Sequence, residues 1–305
     1  MLYPNKDRIA YIRQDNRRYE AKFERFPQRY LRKILCGIKF ENINNGIIIL
    51  IPKYDKYNCL ISKKITKKIT NICQQEQIKY IALENKLDFL KKFITEKNII
   101  DGKFIMKLLV DKILEYILNI KSENMNLENI YVFVNTYNKI NIKIIEKFVA
   151  KFKTVNIITE NLKYYKRLEN KMYKDGILIT VSNNKRKSAK NAKYIVNIDF
   201  ESNAFNEFCI NQKAIIINLT KEKIIFKKSY NGIIVNDFNL KMNTDNECFY
   251  KEFYGNIDNK ILLESWIINR ENFFEKLDEK NEEYSSEICD LLGIRGKLQK
   301  CEFLV

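Results

Sequence analysis

Histidine is missing from the chain. That removes every Ser-His-Asp or Cys-His arrangement, so proton transfer would fall to Asp, Glu, Lys, Tyr or Cys. Three groups of residues have types and spacing that suit ligand chemistry. The first is Asn135-Thr136-Tyr137-Asn138-Lys139-Ile140, which follows the apolar run IYVFV at 130–134. Asn135, Thr136 and Asn138 offer amide, hydroxyl and backbone donors to a single phosphate. The second is Glu160, which lies 25 residues after Asn135. A ribose-binding acid follows its phosphate turn by about 20 residues. The third is the basic stretch Lys185, Arg186, Lys187, Lys190 and Lys193, flanked by Ser182 and Ser188 and suited to phosphates. Plainer readings stand beside the last two, an exposed strand-end carboxylate and a solvated loop, and these are preferred. The seven cysteines are widely spaced with no CxxC, so they read as reduced thiols and not as zinc ligands.

The elements that would position these residues can be read from periodicity. GIIILIP at 46–52 is a continuous apolar run ended by proline, as in a strand buried on both faces. Leu60, Ile61, Ile65, Ile69, Ile72 and Cys73 follow at helical spacing. IKYIALEN (78–85) is a second strand, and 87–94 a short helix. Asp101-Gly102 is turn chemistry before the longest helical pattern, 103–120. The polar stretch 122–128 reads as a linker. The order then repeats, with strands at 130–135, 155–161, 177–183, 194–199 and 214–219 and helices at 141–152 and 162–173. Short edge strands are expected at 224–226 and 232–238, and helices over 249–305. Strands separated by helical stretches imply right-handed βαβ units and doubly wound parallel sheets. Both halves read strand, Tyr-bearing loop, helix, strand ending Glu-Asn, Leu-led helix, and the shared grammar of βαβ units suffices to explain this.

The fold class is therefore α/β: two α/β domains joined by a long helix, the second a Rossmann-like doubly wound parallel sheet, with C-terminal helices. The expected boundaries are a basic segment at 1–45 with a β hairpin (strands at 9–12 and 19–26), a first domain at 46–121, a second at 127–245, and helices at 249–305 that pack back on the first domain. In such a sheet the first βα turn normally carries glycines that let the backbone approach a pyrophosphate. The turn at 135–140 has none, and Tyr137 and Ile140 are expected to crowd the phosphates. No bound dinucleotide is therefore expected, unless a divergent turn still holds NAD(P).

The net charge of +17 comes from 44 lysines against 11 arginines, in a chain rich in Asn and Ile. That spectrum suits an AT-rich bacterial genome and needs no polyanion to explain it. The arginines are more informative, because seven of them lie within residues 8–32. Residues 1–33 carry ten basic and four acidic side chains, a local net of +6 that suits a phosphate or an anionic surface. The N-terminal residues lack the apolar core of a signal peptide. No apolar run approaches the ~20 residues of a membrane helix. The expectation is a cytoplasmic protein with no membrane contact, partnered by a nucleotide, a polyanion or a second copy of itself.

The layout over 46–290 resembles the shikimate dehydrogenase and glutamyl-tRNA reductase group. In that group a strand ends in a lysine-bearing motif, here matched by Ile51-Pro52-Lys53. An Asp-Gly before the connecting helix is matched by Asp101-Gly102. The resemblance implies Lys53 and Asp101 as catalytic residues and NAD(P) as cofactor. The substrate-gripping serines and the glycine loop are missing. The leading expectation is thus a non-catalytic Rossmann-like protein that binds a partner or small nucleotide. An NAD(P)-dependent oxidoreductase and a nucleic-acid-associated basic protein are the alternatives.

Overall fold

The computed structural model describes residues 8–15, 35, 37–43, 46–52, 59–94, 98–226, 230–238 and 256–268. These residues fall into two compact units. One runs to Gly102 and takes in 256–268; the other runs from Lys103 to residue 238.

The first unit is a five-stranded sheet in the order β2-β3-β1-β4-β5. Its strands are β1 (Ile9–Asp15), β2 (Lys39–Ile43), β3 (Gly46–Pro52), β4 (Tyr80–Leu83) and β5 (Asn98–Ile100). Only β2 runs antiparallel to its neighbour. All seven residues of β3 are buried, as an apolar run covered on both faces requires. Gly46 opens this strand because a Cβ there would lie 1.9 Å from the Ile9 carbonyl oxygen. Helix α1 (Cys59–Gln75) covers the sheet with Ile61, Ile65, Ile69 and Ile72, while Leu60 stays exposed. The helix expected at 87–94 is a tighter 3₁₀ turn over Asn85–Phe93, burying Leu87 and Leu90 three apart.

The structure corrects the expected N-terminal hairpin. β1 is the central strand, hydrogen-bonded in parallel to β3 on one side and β4 on the other. Both of its edges are filled, so it has none to offer 19–26, which lies outside the described residues. Ile9-Ala10-Tyr11-Ile12 is an apolar run of the same kind as β3, and that is why it sits at the centre.

The second unit is a six-stranded, wholly parallel sheet in the order β11-β10-β9-β6-β7-β8. Its strands are β6 (Asn129–Phe133), β7 (Thr154–Ile158), β8 (Ile179–Ser182), β9 (Tyr194–Asn197), β10 (Ile215–Asn218) and β11 (Ile233–Val235). Counted from β6 and read from the β8 edge, this is 3-2-1-4-5-6, the doubly wound dinucleotide-fold order. The helical stretch 103–120 belongs to this unit, so the first unit ends before the expected residue 121. That stretch forms α2 (Lys103–Leu108) and α3 (Val110–Ile120), with i→i−4 hydrogen bonds of 3.0 Å on both sides of Leu109. The expected linker is tied to the sheet: Lys193 Nζ reaches Glu123 at 2.7 Å and Glu128 at 3.1 Å. Helices α4 (Lys139–Lys151), α5 (Leu162–Lys174) and α6 (Ser202–Phe205) complete the crossovers.

The expected strand at 224–226 does not form. β11 already fills the outer edge of β10, and the Ile225 backbone is held instead by Ser202 and Asn206 side chains. In the first unit, helix α7 (Asn259–Ile268) packs on β4 and β5. The remaining expected C-terminal helices lie outside the described residues.

Candidate functional site

In an open parallel sheet a ligand sits beyond the carboxyl ends of the strands where strand order reverses. Here that is the crevice between β6 and β9. Phe133 anchors the end of β6 in an aromatic core, with its ring centroid 4.6 Å from Phe205, 5.2 Å from Phe208 and 5.3 Å from Phe200. The chain then turns through 134–138 into α4. Asn138 caps α4, its Oδ1 accepting from the Asn141 backbone N–H at 2.9 Å.

Several polar groups of this turn are occupied by the protein itself. The Asp199 carboxylate, reached just past the end of β9, accepts from the Asn135 N–H at 2.6 Å and the Thr136 N–H at 2.7 Å. Charge-assisted bonds of this kind are about twice as strong as neutral ones. The Thr136 carbonyl accepts from Asn141 Nδ2 at 2.8 Å and from the Tyr165 hydroxyl at 2.9 Å. The Asn135 carbonyl accepts from Asn161 Nδ2 at 3.3 Å, while Asn135 Oδ1 accepts from the Glu160 N–H at 2.8 Å. Two successive amides aimed at an anion are what a phosphate needs, and here a carboxylate fills that place.

The crowding expected from Tyr137 and Ile140 is corrected. Tyr137 does not crowd the amides; its ring stacks on Tyr164 at 5.5 Å and 30° and meets Tyr165 edge-on at 5.4 Å. Ile140 is partly exposed on α4. The occupant is an acid 64 residues away in sequence.

On the β9–β11 side, three asparagines close the edge. Asn197, Asn218 and Asn236 lie in register on β9, on β10 and just past β11. Asn197 Nδ2 donates to Asn218 Oδ1 at 3.0 Å, and Asn218 Nδ2 donates to Asn236 Oδ1 at 2.9 Å. Asn197 also bonds both backbone groups of Phe200, and Asn218 Nδ2 donates to the Glu222 carbonyl at 2.7 Å. Asn197 and Asn218 are wholly buried. The sequence carries a signal for them in three apolar runs that each end in Asn: YIVN, IIIN and IIVN.

On the β7–β8 side the edge faces solvent. Tyr137 and Tyr164 are each 44% exposed. Glu160 is exposed at the end of β7, close enough to Lys185 to raise its pKa, although Glu207, which pairs with Lys185, is the main cause. Asn184 caps the basic turn, its Oδ1 accepting from the Arg186 N–H at 3.0 Å and the Lys187 N–H at 3.1 Å. Arg186, Lys187 and Lys190 are exposed. Of the residues singled out in the sequence, Asn135, Thr136, Asn138 and Glu160 thus gather around one turn, with Lys185 and Arg186 on the next loop. Asp101 belongs to the first unit, where it precedes Gly102 (φ +78°), whose α-carbon packs on the Lys260 side chain. Lys53 lies outside the described residues.

The pKa displacements in the described residues run away from neutrality. Burial pushes the hydroxyls of Tyr131, Tyr165, Tyr194 and Tyr230 up. Hydrogen bonding to Glu123 pushes the Lys193 ammonium up. Burial alone would raise the Glu123 carboxyl, but hydrogen bonds from Lys193 and Tyr194 outweigh it and hold it below its ordinary value. Among the described residues no group of three His, Cys, Asp or Glu side chains is placed to hold a metal ion. No described helix is long and apolar enough to cross a membrane.

No family model matches the chain, and no curated protein does. Solved structures similar in layout include a phosphoglycerate oxidoreductase from Vibrio cholerae O395, at 9% identity over 73% of this chain and 78% of that one, TM-score 0.32. A shikimate dehydrogenase from Aquifex aeolicus matches at 11% identity over 94% and 99% of the two chains, TM-score 0.31. An ornithine carbamoyltransferase from Burkholderia thailandensis E264 matches at 12% identity over 76% of each, TM-score 0.25. Likenesses this distant carry no argument about activity. The strand order itself makes the second unit a Rossmann-like α/β unit, and Asp199 accepts from two successive amides of its first turn.

Proposed function

We propose that the chain is a non-catalytic, Rossmann-like binding protein whose second unit does not seat a dinucleotide at its first βα turn. One observation carries this reading: the Asp199 carboxylate takes two successive amides of the turn over which a pyrophosphate would lie. A phosphate approaching the turn would meet a negative charge already satisfied by those donors. The absence of histidine and the upward displacement of the Tyr165 and Lys185 pKa values also count against proton transfer near neutral pH. The ligand of such a protein binds at the solvent-facing part of the carboxyl edge, beyond the closed turn.

Titration of the full chain into NADH and NADPH, read by nicotinamide fluorescence and thermal shift, tests the reading. No saturable change is expected with either. A ligand present at 100 times its dissociation constant would add about 2.7 kcal/mol of stability. A saturable shift with either cofactor would overturn the proposal and favour the dehydrogenase alternative built on Lys53 and Asp101.

A further inference from the structure

We infer that the solvent face of α5, together with the Tyr137–Tyr164 stack at its start, is a binding surface for single-stranded nucleic acid. The inference deepens the binding-protein reading by naming a class of partner, and it uses a surface separate from the closed turn.

Lysine alone assigns nothing in this chain. Helix α1 carries Lys63, Lys64, Lys67 and Lys68 with no acidic residue. Helix α4 carries four lysines, of which Lys143 pairs with Glu146 while Lys147 and Lys151 reach the Asp111 carboxylate. α5 combines three features that neither of these helices shows together.

The first is the arrangement of its charges. At 3.6 residues per turn, Lys163, Arg167 and Lys171 follow one another at i,i+4 along a single stripe, and Lys174 extends it by three. All four are exposed, and none is ion-paired among the described residues. Like charges at this spacing repel. The helix's one acid, Glu169, faces away from the stripe, pairing with Lys166 at 2.6 Å and accepting from the Val181 N–H at 3.0 Å.

The second is the aromatic content of the face. Tyr164 borders the stripe and stacks on Tyr137, and each of these two rings is 44% exposed. Exposed rings beside unpaired cations form the platform on which unpaired bases stack. A duplex does not present its base faces, so the rings favour a single strand.

The third is what the face lacks. Its exposed residues are Lys163, Tyr164, Lys166, Arg167, Asn170, Lys171, Tyr173 and Lys174, with no aliphatic side chain among them. The apolar side of α5 (Tyr165, Leu168 and Met172) is buried in the protein's own core. A helix that lies on a membrane needs that apolar side free. The basic turn bearing Arg186 and Lys187 stands beyond the neighbouring strand β8, at the carboxyl edge where α5 begins, and adds positive charge near the tyrosine stack.

The test is fluorescence anisotropy of the full chain with a labelled oligothymidylate across a salt series. Four neutralised phosphates on a single strand give a slope of log K against log salt of about −3. The variant K163A/R167A/K171A should reduce that slope to about −1. Y164A should weaken binding roughly tenfold at unchanged slope, and Y164F should restore it. These positions are solvent-exposed, and unchanged far-UV circular dichroism shows that each variant is folded. The proposal is overturned if the triple variant binds with unchanged affinity and slope, or if the wild-type chain does not bind at low salt. It is also overturned if a duplex of equal length, polyglutamate or phosphatidylserine vesicles bind as tightly as the single strand. Failure here leaves the NADH titration untouched, so the two readings fail separately.

Discussion

The carboxyl edge of the second sheet is built in two ways. From β9 to β11 it is closed by side chains that bond one another and the backbone. Asn197, Asn218 and Asn236 form a ladder across three strands, and Asp199 reaches back to the turn after β6. On the β7 and β8 side the same edge carries exposed tyrosines, an exposed glutamate and an exposed basic turn, and the unpaired stripe of α5 starts there and runs back along the helix. The same fold thus buries its polar ladder on one half and leaves tyrosines and several charged side chains to solvent on the other. An internally satisfied group stabilises the fold and offers little to a ligand. An unpaired, mutually repelling set stabilises nothing and is the place to look for binding.

The contrast predicts opposite responses to substitution. The largest effect should come from Asn218→Asp. A carboxylate there cannot donate to Asn236 Oδ1 or to the Glu222 carbonyl, and it places a charge at a fully buried position. A loss of about 4 kcal/mol is expected from urea unfolding. A loss below about 1 kcal/mol would mean that the ladder does not hold this half together.

Asp199→Ala should cost about 2 kcal/mol, because two charge-assisted bonds vanish from a partly exposed site. It should also free the two amides for an anion, so sulfate should raise the melting temperature of the variant more than that of the wild type. Equal responses to sulfate would show that the carboxylate is not occupying an anion seat.

Tyr165→Phe removes one hydroxyl from the Thr136 carbonyl, which still accepts from Asn141. About 1 kcal/mol should be lost. Burial of the hydroxyl and the nearby Asp199 charge both push its pKa up, so the bond should persist through neutral and mildly alkaline pH, and the variant's deficit should stay constant from pH 6 to pH 9.

The smallest effect has the opposite sign. Arg167→Glu places an acid between Lys163 and Lys171 at i,i+4 on both sides. A gain of about 0.5 kcal/mol is expected from the same unfolding assay. A clear loss would indicate that the stripe is part of the fold's own bonding, and the contrast between the two halves would collapse.

Much of this could be read from the chain. The runs at 46–52, 130–134, 194–197 and 215–218 are apolar enough to require sheets covered on both faces, and the intervening helical spacings require parallel crossovers. That the turn at 135–138 has no glycine is legible in the chain, but what its amides meet is not. Bulk at Tyr137 is a property of the local sequence, but the ring turns onto α5 and leaves the amides to Asp199. The place of 9–12 was misread because its basic surroundings mask an apolar run, and a strand's neighbours are not encoded beside it. The 103–120 pattern gave the helix and not the unit it joins.

Local sequence determined the alternation of strands and helices, the buried faces, and the absence of histidine and of a glycine turn, because each of these follows from neighbouring side chains and backbone preference. Tertiary structure decided which strand lies beside which. The order 3-2-1-4 brings the loop after β9 against the loop after β6, and so delivers a carboxylate across 64 residues to two amide protons. It also decided which lysines meet an acid and which do not, since pairing depends on what the fold places within about 4 Å and not on what is adjacent in the chain.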